Sequence, residues 1–162
     1  MEGQQLNEQQ RELKNMLELP DPVQVCLVVR DLRKTAAFYE EMFGIGPFVF
    51  PIIEFDEITY HGKPAKGYWE MAFARIGEYE LELSCPIESP SIYEDFLQEH
   101  GEGMHHFGFE ITELDSYIER AERLGFPVMM SGRTLSGGFA HLDTRKLGGT
   151  ILELIERPSR RV

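Results

Sequence analysis

A strand, a helix and three further strands occur twice along this chain, at a spacing of about 80 residues, and that repeat restricts the fold more than any single residue does. In the first copy, Val23 to Val29 (VQVCLVV) reads as a strand. Asp31 then stands at an N-cap position, and Leu32, Ala36, Tyr39 and Met42 form one helical face that Gly44 ends. Pro47 to Glu54, Gly67 to Ile76 and Tyr79 to Cys85 read as three strands, with YHGKPAKG a mobile loop and Gly77-Glu78 a tight turn. Pro86 to Pro90 is a linker, and Ser91 with Glu94 has the spacing of a capping box for a short helix ending near Gly101. The second copy opens on the strand His106 to Ile111. A helix follows, capped by Thr112 and Asp115, with Leu114, Ile118, Ala121 and Leu124 on one face and Gly125 as its stop. Pro127 to Met130, Phe139 to Asp143 and Thr150 to Ile155 complete it, joined by SGRTLSGG and TRKLGG. Two βαβββ modules predict an α+β fold in which one curved mixed sheet surrounds a cleft.

At 162 residues and 42% hydrophobic content the chain suffices for one packed domain. Its organisation reads as an N-terminal helical extension (1–21), a first module with linker (22–90), and a short helix plus second module (91–157). In the extension, Leu6, Leu13, Met16 and Leu17 recur at helical spacing, which suits docking on the domain or on a second copy in a homodimer. A net charge of -12 disfavours nucleic acid and anionic membrane surfaces as partners. No apolar run approaches the ~20 residues needed to span a bilayer, and the polar N-terminus lacks the apolar stretch of a secretory signal. Cys26 and Cys85 form no CxxC pair and read as buried reduced thiols, which fits a cytoplasmic protein.

Side chains alternate faces along a strand. Parity separates His106, Gly108 and Glu110 from His105, Phe107, Phe109 and Ile111. It likewise leaves Gln24 opposite Val25 and Leu27, Glu70 opposite Trp69, Met71 and Phe73, Glu82 opposite Leu81 and Leu83, and Glu153 opposite Leu152 and Leu154. Each module thus offers one ligand-capable residue on its first strand and one on its last, and a pseudo-twofold would gather the four on a concave surface. The plain alternative is the solvated side of an antiparallel sheet, which alternates in the same way. His105 reads as a structural residue, and His141 as a candidate lining of the pocket. Arg133, Lys63 and Lys66 are loop cations available to ligand phosphates or only to water.

This arrangement resembles the vicinal oxygen chelate superfamily over nearly all of residues 22 to 157. Within it the chain is most similar to the methylmalonyl-CoA epimerases. The likeness rests on DLRKTAAFYEEMFGI, LELSCP, GEGMHHFGF and TILELIERP. The resemblance implies a divalent metal (Zn, Co, Ni or Mn) held by Gln24, Glu82, His106 and Glu153. It also implies catalytic carboxylates at Glu70 and Glu153, and an acyl-CoA or similar thioester substrate. Gln24 and Glu82 depart from the epimerase pattern, which has His and Gln there, and match the ligand set of animal-type glyoxalase I. Two readings are therefore carried beside the epimerase: a glyoxalase-type lyase and a non-catalytic binding protein. The set argues against a ring-cleaving iron dioxygenase, which needs two His and one carboxylate.

Overall fold

The computed structural model describes residues 17–146 and 148–157. The elements, in order, are β1 (Gln24–Val28), α1 (Leu32–Phe43), β2 (Glu57–Tyr60), β3 (Lys63–Pro64), β4 (Tyr68–Ile76), β5 (Tyr79–Glu88), α2 (Ile92–His100), β6 (Gly103–Glu110), α3 (Leu114–Arg123), β7 (Val128–Thr134), β8 (Gly137–Leu142) and β9 (Ile151–Glu156). The nine strands form one mixed sheet in the order β3-β2-β7-β8-β9-β6-β1-β5-β4. The duplication is visible in its pairings. β1 runs parallel to β5 as β6 does to β9, β4 and β8 lie antiparallel beside those partners, and β1 meets β6 antiparallel at the centre.

Two hydrophobic cores sit on the outer, convex face. α1 covers Ala72, Ala74, Leu81 and Leu83 through Leu32 and Ala36, and α3 covers Ala140, Leu142 and Leu154 through Leu114 and Ala121. α1 begins where Asp31 Oδ1 accepts from the Lys34 N–H at 3.0 Å, and it ends on Gly44 in the left-handed conformation at φ 65°. The concave face carries a third cluster that includes Cys26, Val28, Trp69, Met71, Tyr93 and Phe139, with the start of α2 closing one side.

Several local expectations are corrected. Pro47 to Glu54 is no strand: only Val49 pairs, exchanging both hydrogen bonds with Phe73 at 2.9 Å. Pro47 and Pro51 bracket it and have no N–H to donate. The chain then crosses the cleft, and β2 pairs with β7 on the far side of the sheet. Within YHGKPAKG, His61 and Gly62 (φ 47° and 73°) form the two-residue turn of the β2–β3 hairpin rather than a loose loop. The α2 capping box is half formed. Ser91 Oγ accepts from the Glu94 N–H at 3.2 Å, but Glu94 turns to Ser89 and Gln98. α3 starts at Glu113 with no side-chain cap, and the Leu114 N–H instead reaches Glu156 of β9 at 3.3 Å. The expected N-terminal helix falls largely outside the described residues. Leu17 and Leu19 pack on the α3 core, and the Tyr117 hydroxyl donates to the Glu18 carbonyl at 3.0 Å.

The parity assigned to β4 is also reversed. Trp69, Met71 and Phe73 look into the cleft, while Glu70, opposite Cys85, points out from the convex side and is exposed. Urea unfolding checks this packing. Leu83→Ala, at a fully buried position, should cost about 2–5 kcal/mol, whereas Glu70→Ala should change stability by less than ~0.5 kcal/mol.

Candidate metal centre

The site is assembled by strand register. One row across the sheet runs Gln24, Gly108, Glu153, His141, and the next runs Glu82, Cys26, His106, Ile151. Gly108 is required at the centre of the first row. A Cβ there would lie 2.7 Å from the Ile155 Cδ1 and 3.0 Å from both Cβ and Oε1 of Gln24. A side chain at 108 would crowd Ile155 and Gln24 and require both to shift. Gln24, Glu82, His106 and Glu153, the four residues expected from the sequence, are all buried on this face.

His106 Nε2 lies 3.0 Å from Glu153 Oε2 and 3.8 Å from Glu82 Oε2. Neither His106 Nε2 nor Glu153 Oε2 has a hydrogen-bond partner, although both are buried. Ligand atoms held ~2.1 Å from one ion are about 3.0 Å apart across a right angle. The orphaned pair thus has the spacing of two ligands on neighbouring corners of a coordination shell, and the donor set suits a divalent ion. Glu82 is held by the amide of Gln24 at Oε2 and by the Ser84 hydroxyl at Oε1, 2.5 Å away. As placed, Gln24 turns its Nε2 toward Glu82. A ligand role requires the amide to rotate end for end, because only its oxygen binds a hard cation.

Two further histidines stand beside these four residues. His141, read as a candidate lining of the pocket, lies fully buried beneath the floor with Nε2 3.4 Å from Glu153 Oε1. With His106 and Glu153 it forms a group able to share one ion. The signal was its cross-strand pairing with Glu153, which needs the β8–β9 register. His105 does not share the face of Phe107. A bulge opposite Cys26 and Leu27 turns it inward, where its Nδ1 lies 2.9 Å from that of His106 and Tyr93 and Phe96 pack on its ring. Cys26 and Cys85 are free and buried, as expected. Burial, then the Glu82 charge, raises the Cys26 thiol well above its usual range, so it stays protonated. Glu70 is absent from the site. Arg133 is paired with Asp115, and neither it nor Lys63 nor Lys66 lines the cleft.

Above this floor is a cleft of about 390 Å³ with a mainly apolar wall that includes Ile53, Phe55, Trp69, Phe73 and Phe139. Phe55, on the crossing segment, stacks on Trp69 at 5.6 Å and meets Phe139 edge-on at 5.1 Å. Such surroundings penalise charge. Burial raises Glu82 from 4.5 to about 7, against the lowering effect of His106. Burial also works against a charged His106, but Glu153 and Glu82 outweigh it and its pKa ends above the ordinary value. Burial, then the neighbouring His106, drives His105 and His141 well below theirs.

A duplicated strand-and-helix unit curled into one sheet, with ligand-capable side chains on its concave seam, defines a cleft protein with a candidate metal site. The family model for the Glyoxalase/Bleomycin resistance protein/Dioxygenase superfamily matches residues 23–141, and the chain belongs to that superfamily. It is 28% identical over 95 residues to human mitochondrial methylmalonyl-CoA epimerase, a match covering 58% of this chain and 48% of that protein. The matched stretch thus spans about half the length of the human enzyme. It is also 23% identical over 141 residues to the uncharacterized protein YqjC of Bacillus subtilis, covering 82% of this chain and 89% of that one. Among solved structures, methylmalonyl-CoA epimerase from Mycobacterium tuberculosis superposes with a TM-score of 0.66 at 19% identity, covering 89% of this chain and 91% of that one. A methylmalonyl-CoA epimerase in complex with methylmalonyl-CoA and NH4+ gives 0.68 at 20%, covering 88% and 97%. No helix among the described residues is long and apolar enough to cross a membrane.

Two outcomes follow for the site. His106→Ala should strip most of the bound metal, read by elemental analysis, while the convex cores keep the protein folded. In the metal-free protein, a Glu82 raised to about 7 contributes stability fully below its unfolded value of 4.5, and this is lost as pH rises through 7. Urea titrations should therefore show metal-free Glu82→Gln gaining stability relative to wild type between pH 5 and pH 8. Excess zinc should remove that difference in trend.

Proposed function

We propose that this chain is a divalent-metal-dependent enzyme that moves a proton at the carbon next to a thioester carbonyl, with 2-methylmalonyl-CoA as its substrate. The observation that carries this reading is the pair of carboxylates, Glu82 and Glu153, flanking His106 on the floor of a mainly apolar cleft. The similarity to methylmalonyl-CoA epimerases supports the substrate.

An ion held by Glu82, His106, Glu153 and a rotated Gln24 would act as a Lewis acid toward the carbonyl oxygen. Epimerisation also needs two proton-transfer groups, because the proton leaves one face of the carbon and returns to the other. With Glu70 on the convex side, Glu82 takes the place assigned to it, opposite Glu153. With an ion bound, Glu82 would fall from its metal-free value of about 7, leaving an ionised carboxylate to take the proton. Ser84 fixes one of its oxygens, and Trp69, Phe55 and Phe139 keep water from the reacting carbon.

A glyoxalase-type rearrangement of a glutathione hemithioacetal is the second reading. The observation that favours it is the second carboxylate, Glu82, in a set with Gln24. It uses the same proton transfer on a different substrate.

The experiment is exchange of the α-hydrogen of methylmalonyl-CoA in heavy water. Metal-loaded wild type should exchange it. Glu82→Gln, compared at equal metal content, should be slower by ~10² to 10⁴, and Glu70→Gln should match wild type. Turnover of the hemithioacetal without exchange would move the assignment to the second reading. A protein that processes neither is a binder.

A further inference from the structure

The only cation lining the cleft, among the described residues, is Arg157; every other charged side chain on its wall is a carboxylate, namely Glu80, Glu82, Glu153 and Glu156. In a chain of net charge -12, an anionic substrate meets repulsion at this opening unless Arg157 offsets it. Parity along β9 puts Glu153 and Ile155 on one face, and Arg157, one residue past the end of the strand, lines the same cleft roughly 13 Å from Glu153 if the chain stays extended. The floor and the arginine thus mark the two ends of the cleft.

The side chain of Arg157 is held but not consumed. Its Nη2 donates to Glu80 Oε1 at 2.7 Å, and its Nε lies 3.6 Å from Glu110 Oε2. A guanidinium has five N–H donors, and this side chain is 41% exposed. Pairs this exposed are weak, so an incoming anion with two oxygens to offer can displace them.

We propose that Arg157 is a specificity residue that receives an anionic group, phosphate or carboxylate, on the thiol tail of the substrate. This rests on the proposed function for the position of the reacting carbonyl at the floor. A carboxylate on a short acyl group lies a bond or two from the reacting carbon and falls short of the rim. The phosphates of a nucleotide-bearing tail, or the terminal carboxylates of a peptide thiol, lie far enough away.

The test is equilibrium binding to metal-loaded wild type, Arg157→Gln and Arg145→Gln. Arg145 is paired with Asp143 away from the cleft, and its variant controls for loss of a positive charge. Three probes are used: propionyl-CoA with tail phosphates, S-hexylglutathione with tail carboxylates, and the propionyl thioester of N-acetylcysteamine with neither. Arg157→Gln should weaken a tailed probe about tenfold or more, leave the tail-less probe unchanged, and lose less affinity than wild type as salt is raised. Which tailed probe responds tells phosphate from carboxylate. Equal affinity of wild type and Arg157→Gln for the tailed probe that wild type binds would overturn the proposal, as would an equal loss in Arg145→Gln or on the tail-less probe. Wild type that binds no tailed probe overturns both this and the proposed function. Tail recognition through Arg157 without α-hydrogen exchange removes the proposed function alone.

Discussion

Two carboxylates and an imidazole share a nearly dry floor, and the rest of the concave face is arranged around that constraint. Moving a carboxylate out of water costs several kcal/mol unless charge or hydrogen bonds compensate it. Here Glu82 has the Gln24 amide and the Ser84 hydroxyl, while Glu153 has only His106, whose pKa it raises, close to one oxygen and a neutral His141 3.4 Å from the other. Among the buried polar atoms left without a hydrogen-bond partner are His106 Nε2 and Glu153 Oε2, which face each other at 3.0 Å, and both ring nitrogens of His141. A divalent cation between these groups would resolve the conflict. A proton held by Glu82 eases it in the metal-free state.

Such a floor is sustainable because stability is drawn from elsewhere. The α1 and α3 cores lie on the outer face of the sheet and involve none of the polar floor residues. The sheet therefore acts as a wall with an oily side and a chemical side. Its two halves join at the antiparallel β1–β6 pair, so Gln24 and His106, equivalent in the two modules, sit on neighbouring strands. The same seam explains Gly108, whose missing side chain is the space that Gln24 and Ile155 occupy.

The crossing segment adds a roof. After the single bridge at Val49, the chain passes over the cleft to pair β2 with β7, and it carries Phe55 into contact with Trp69 and Phe139. This segment belongs to the first module in sequence and to the edge of the second in space. It adds Ile53 and Phe55 to the apolar wall of the cleft and ties the site to both halves of the fold.

Taken alone, the sequence determined the duplication, the helices α1 and α3, and the four residues of the floor. Each of these rests on periodicity, and alternation along one strand is a local property set by backbone geometry. Tertiary structure decided everything that depends on which strand lies beside which. The wall of the cleft is itself apolar, so β4 has an apolar row facing the site, and alternation separated Glu70 from Trp69 without saying which side was the inside. Alternation had made His141 a candidate for the pocket, but its place beside Glu153 came from their cross-strand register, and His105 entered only through a bulge that breaks parity. Pro47 to Glu54 has apolar content suited to a strand, but its prolines and the reach of β2 to β7 take it across the cleft instead. Burial, too, is a property of the assembled sheet. The residue type of Glu82 was plain in the sequence, but its proton affinity near 7 came from the walls that close around it.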